Sequence, residues 1–142
     1  MGAWGAGPFE NDDAGDWSYG FDGADEASGH RLLAEALHLG APDEYVEATA
    51  GSVAVAAAAV VSWLHAPDEI PDPPDGESPA AWVRAVGPGP YTELTAAALA
   101  ALDRVRGDDS ELAELWDGDE AWSASLDQIE ARLRPGPTTG GG

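Results

Sequence analysis

An all-α fold is what the sequence predicts, on three observations. Apolar residues recur at three- and four-residue intervals in most segments. No stretch of useful length alternates apolar and polar side chains with the period of two that a half-buried strand requires. Gly40, Pro42, Pro67 and the GPGP run at 87–90 fall where the periodic segments break. At 142 residues the chain is sized for one hydrophobic core. The expected architecture is a compact bundle of about six or seven unequal helices around a central alanine-rich one. It occupies a single domain over 1–134, followed by a flexible glycine-rich tail over 135–142.

The first element lies in GAWGAGPFENDDAGDW, residues 2–17. Trp4 and Phe9 flank a glycine turn in which Gly5 and Gly7 permit positive φ. A helix starting near Asn11 places Asp12 and Asp16 one turn apart on one face, with Asp13 beside them. Ala14, Trp17 and Phe21 recur at near-helical spacing, so the segment reads as a turn packed by aromatics onto a bundle, with an acidic rim. Gly15 and the following SYGFDG weaken this helix.

Asp25 to Leu39 forms the next helix, with Leu32, Leu33, Ala36 and Leu37 on one face and Gly40 closing it. Asp43 then caps a helix running to about His65, roughly 35 Å long at the α-helical rise. Its centre, VAVAAAAVV, is apolar all round, as a helix surrounded by others must be. Residues 67–77, PDEIPDPPDGE, carry too many prolines for a regular element and form an extended acidic loop. Ser78 followed by Pro79 reads as an N-cap with proline at the first helical position, opening a helix through Trp82 and Val86. Leu94, Ala98, Leu102 and Val105 define a helix from Thr92 to Gly107. Asp109 or Ser110 caps a short piece through Leu112, Leu115 and Trp116. The last helix carries the stripe Trp122, Leu126, Ile129 and Leu133, with Glu130 and Arg134 spaced to pair and arginines in its last turn.

Charge narrows the function. There are 27 acids against six arginines and no lysine, a formal net charge of −21. Such a field repels phosphate backbones and anionic lipid, so neither nucleic acid nor a membrane surface is expected as a partner. A basic protein fits the field better, and a nucleic-acid mimic acting on a nucleic-acid-binding protein is a special case of that. The same composition also arises from high-salt life or a GC-rich genome with no partner at all. Without cysteine there is no disulfide framework, thiolate metal site or thiol nucleophile, which accords with a cytoplasmic location. No basic-then-apolar leader opens the chain, and the uncharged run 48–64 is better suited to burial than to spanning a bilayer.

Few motifs carry chemistry. GAWGAG follows no strand and has no lysine, so it meets neither phosphate-loop pattern. There is no G-x-S-x-G elbow, and NDDAGDWSYGFDG places glycine at the wrong position for a calcium loop. His30 and His38 share a helix, and Glu35 with His38 makes half of a di-iron bundle pattern; His65 supplies no second half. The sharper group is Asp12, Asp13 and Asp16. A helix N-terminus accounts for Asp12 and Asp13 by favouring acids at about 0.3–1 kcal/mol each. Asp16 lies beyond that help and calls for an arginine, a backbone donor or a cation.

The N-terminal residues Trp4, Gly5, Phe9, Asn11, Asp12, Ala14, Asp16 and Trp17 resemble the opening of the bacterial family catalogued as domain of unknown function 4259. Its members begin with a Trp-Gly pair and an F-x-N-D-x-A-x-D-like run. The resemblance implies a helical protein and no transferable activity. The expected function is therefore a non-catalytic binding or interaction protein without a required cofactor, self-association being compatible. Its binding surface would include Trp4, Phe9, Asn11, Asp12, Asp13, Asp16 and Trp17. The alternative is a divalent-cation-binding protein or metal-dependent hydrolase using Asp12 and Asp16, with a histidine as base.

Overall fold

The computed structural model describes residues 12–39, 48–65, 70, 77–86, 92–107, 111–115 and 119–133. Seven α-helices appear among them: α1 (Asp12–Ser18), α2 (Glu26–Leu39), α3 (Ala48–His65), α4 (Glu77–Val86), α5 (Thr92–Arg106), α6 (Glu111–Leu115) and α7 (Glu120–Leu133). A single 3-10 turn, Tyr19–Phe21, follows α1 directly. The fold is the all-α bundle that the periodicity predicts, and no strand occurs among the described residues.

The centre of the bundle is α3, which packs against α1, α2, α4, α5, α6 and α7. Every residue from 51 to 64 is buried, so the helix has no polar face because it has no solvent face. Its alanines let neighbouring backbones approach closely, while Val60, Val61 and Leu64 supply the bulk. Two serines lie on this helix out of solvent, and Ser62 satisfies its hydroxyl by donating to the Ala59 carbonyl at 2.6 Å. The described part of α3 spans about 27 Å at the helical rise. The expected Asp43 cap lies outside the described residues.

The surrounding helices each turn one stripe inward. Leu33, Ala36 and Leu37 of α2 are buried, whereas Leu32 is half-buried, packing against the core with its side chain also close to Gly20 of the 3-10 turn. Leu94, Ala98, Leu102 and Val105 of α5 and Leu126, Ile129 and Leu133 of α7 complete the core at their expected spacing. Asp119 caps α7, its carboxylate accepting from the Trp122 amide at 2.9 Å. At the other end of α5, Arg106 approaches Asp127 at 2.9 Å and Glu130 at 3.5 Å, joining α5 to α7. The expected Arg134 partner of Glu130 lies outside the described residues. His65, at the end of α3, shares a 2.5 Å hydrogen bond with the Thr95 hydroxyl of α5.

The start of α4 differs from expectation. Helix α4 begins at Glu77, so Glu77 belongs to the helix rather than to the acidic loop, and Pro79 is its third residue rather than its first. Proline is tolerated there because the first four helical N–H groups have no intrahelical partner to lose. Pro79 is fully buried, which gives its ring a packing role as well. Within the preceding loop, Ile70 is buried at 7% exposure and pins the connection to the core. The proposed caps Asp109 and Ser110 lie outside the described residues.

Candidate functional site

The site grows from α1. Asp12 and Asp13 open the helix and Asp16 follows one turn later, which is the expected backbone arrangement. Asp16 is exposed, so bulk water is available to its carboxylate. On the inward side Ala14 is fully buried and Trp17 is half-buried. Trp4, Phe9 and Asn11 lie outside the described residues.

Glycine at position 15 and again at position 20 gives α1 little propensity to continue, and the chain tightens into Tyr19–Phe21. The Ser18 hydroxyl donates back to the Gly15 carbonyl at 2.7 Å, helping to close the helix. Phe21 is thereby turned inward to 2% exposure. Trp17 meets Phe21 edge-on at 5.2 Å and 80° between ring planes. Phe21 in turn meets Trp82 of α4 at 5.2 Å and 55°. Such edge and tilted contacts suit the ring quadrupoles and add about 0.5–1.5 kcal/mol each beyond area burial.

Trp82 is the hub, and it was legible in the sequence only as a helix-core residue. Its indole Nε1 donates to the Asp25 carbonyl at 2.9 Å. Its ring lies so close to α2 that a Cβ built on Gly29 would sit 2.1 Å from Trp82 Cε2. Gly29 is therefore a socket. A glycine inside an otherwise strong helical period is the signal that could have exposed it, since that choice costs about 1 kcal/mol against alanine unless something packs there.

The turn joining the two helices is shaped by Gly23, which adopts φ +75°, a left-handed conformation that L side chains avoid. The amides of Asp22 and Ala24 donate to the Tyr19 and Phe21 carbonyls, both at 3.0 Å. Asp25 then caps α2, accepting from the Ser28 amide at 2.7 Å. That hydrogen bond to the ionised form holds the Asp25 carboxyl below its ordinary value, with a smaller contribution from the Arg31 cation.

Between this turn and α4 lies a cleft of about 300 Å³, lined by Phe21, Asp22, Gly23, Ala24, Ala81, Trp82 and Ala85. Its floor is aromatic and alanine carbon, and Asp22, exposed on the rim, is its ionisable group. Asp25, Glu26, Ala27, His30 and Arg31 line a wider, open groove along the start of α2. His30 is half-buried there, while His38 and His65 are exposed at the ends of α2 and α3. Among the described residues no group of three or more His, Asp and Glu side chains is gathered as a metal site.

The profile of the family described as Domain of unknown function (DUF4259) matches residues 2–126. The chain belongs to this family. The match takes in α1 through α6 and the first half of α7, so the aromatic hub and the cleft both fall within the DUF4259 region. No curated protein and no solved structure matches the chain. Among the described residues of this DUF4259 member, no helix is long and apolar enough to cross a membrane.

Proposed function

We propose that this DUF4259 protein is a non-catalytic, cytoplasmic binding protein that holds a basic protein partner through the face made by α1, the 3-10 turn, the start of α2 and α4. The observation that carries this reading is the cleft itself, an apolar floor with an acidic rim set in a chain of net charge −21. Apolar floor and charged rim are the parts from which protein interfaces are built. Tyr19, 70% exposed beside Phe21, adds the amphipathic aromatic surface in which interfaces are enriched. Asp16 and Asp22, both exposed, extend the acidic edge. Cysteine-free composition suits a reducing compartment.

Calorimetric titration of the full chain with an arginine-and-glycine peptide and a glutamate-and-glycine peptide of equal length tests the reading. The basic peptide should saturate at one per chain. Its affinity should fall between about 0.1 M and about 1 M salt, as the screening length shrinks from about 10 Å to about 3 Å. Equal binding of both peptides, or unsaturable uptake of the basic one, would overturn it.

A second reading rests on the backbone placement of Asp12 and Asp16 one turn apart in α1, which suits a shared divalent cation. In that reading the carboxylates would hold the ion, and a histidine brought to it would serve as base for hydrolysis. Calorimetry with calcium, magnesium, manganese and zinc distinguishes it: binding that disappears in Asp16→Asn supports the cation site, and no heat above dilution rejects it.

A further inference from the structure

Resting on the basic-partner reading, we infer that the cleft between the Asp22–Ala24 turn and α4 is a socket for one arginine side chain of that partner. Three features converge on a guanidinium. The first is size: about 300 Å³ is at the small end of the range for ligand pockets and has room for one long side chain. The second is polarity. Of the α4 residues that line it, Ala85 lies in the last turn of the helix, which ends at Val86, and Ala81 and Trp82 lie about one turn before it. A helix C-terminus carries roughly half an elementary negative charge on carbonyls without intrahelical partners. Asp22, exposed and the one acid among the residues lining the cleft, adds a carboxylate to the same site. Arg84, the basic residue in the last turn of α4, is exposed and does not line it.

The third feature is the wall material. Phe21, Trp82 and the methyls of Ala24, Ala81 and Ala85 offer carbon rather than water to whatever enters. Arginine tolerates that exchange because its planar, delocalised cation is weakly hydrated and keeps several donors for a carboxylate, whereas the compact lysine ammonium is strongly hydrated. The walls are held in place before binding. Trp82 is fixed by its bond to the Asp25 carbonyl and by the Gly29 socket, and the turn by two backbone bonds and the positive φ of Gly23. A preformed slot spares the ordering cost that weakens binding by mobile surfaces.

The test uses the full chain and blocked Gly-Gly-Arg-Gly-Gly peptide, with the lysine and citrulline peptides as comparators, read by amide chemical shifts. Citrulline keeps the shape of arginine and removes its charge. The arginine peptide should move the amides of Gly23, Ala81 and Ala85, the lysine peptide should bind more weakly, and the citrulline peptide should leave them in place. Ala85→Leu fills the cleft from an exposed helical position and should lower affinity about tenfold or more, a change of about 1.4 kcal/mol. Asp22→Asn, also exposed, should lower it severalfold without loss of helical circular dichroism. If the arginine peptide binds but Ala85→Leu leaves its affinity unchanged, or the shifts fall elsewhere, the socket is refuted while the basic-partner reading survives. If neither it nor the longer basic peptide binds, both fall.

Discussion

Replacing Gly29 with alanine should destabilise the protein, although the same change at an ordinary helical position would stabilise it. Alanine in place of an interior helical glycine gains about 1 kcal/mol. Here the new Cβ would lie 2.1 Å from Trp82 Cε2, 2.3 Å from Nε1 and 2.4 Å from Cζ2. Carbon atoms in good contact are about 3.5 Å apart or more, so the ring must retreat by about 1.4 Å, the difference between about 3.5 and 2.1. Trp82 is only 4% exposed and is braced by Phe21 at 5.2 Å, so it has little room to do so. Overpacking of this kind costs about 1–3 kcal/mol, and stretching the indole bond to the Asp25 carbonyl adds about 0.5–1.5 kcal/mol. Set against the propensity gain of about 1 kcal/mol, the net loss is about 0.5–3.5 kcal/mol. Urea unfolding followed by tryptophan fluorescence and far-ultraviolet circular dichroism at fixed salt measures it. Gly15→Ala is the matched control, because a Cβ at Gly15 meets nothing within 4 Å and should raise stability by up to about 1 kcal/mol. In a Trp82→Ala background the penalty at Gly29 should reverse sign. A Gly29→Ala protein as stable as the native chain would refute the socket.

Three further outcomes follow from the same geometry. Asp25→Ala should weaken the start of α2 more than Asp25→Asn, which retains a capping oxygen. Because the folded Asp25 carboxyl titrates below its unfolded value near 3.9, its contribution is complete above that pH and disappears as pH falls through the lower folded value. The stability difference between native and Asp25→Asn proteins should therefore narrow on acidification through that window, as urea midpoints measured across it would reveal. Asp119→Ala removes the carboxylate that receives the Trp122 amide and should cost about 0.5–2 kcal/mol by thermal unfolding, with Asp119→Asn nearer to native. Leu33→Ala empties a fully buried position where α2 meets the core and should cost about 2–5 kcal/mol, a far larger loss than Leu32→Ala at its half-buried neighbour.

Much of the fold was legible because helical periodicity is a local property. Leu94, Ala98, Leu102 and Val105, and again Leu126, Ile129 and Leu133, mark their buried faces without reference to anything distant. VAVAAAAVV reads as central for the same reason, since only surroundings on every side make a polar face unnecessary. Helix starts were less legible at Pro79, where tolerance of proline through the whole first turn leaves the first residue open. The helical positions of Asp12, Asp13 and Asp16 in α1 follow from their spacing, whereas Asp22, the acid that lines the cleft, carried no local signal.

By itself, then, the sequence determined an all-α bundle whose central helix has an apolar middle, a strongly negative field and membership of a helical family. Those depend on composition and on relations between residues within one or two turns. Only the tertiary structure decided that Trp82, from α4, would lie on Gly29 of α2, reach back to the Asp25 carbonyl and close an aromatic row with Phe21 and Trp17. It also decided that Asp22 would line one cleft with Ala81 and Ala85, about sixty positions along the chain. The physical reason is that such meetings depend on how whole helices cross. A crossing is selected by the packing of many side chains at once, and no short stretch of sequence contains it.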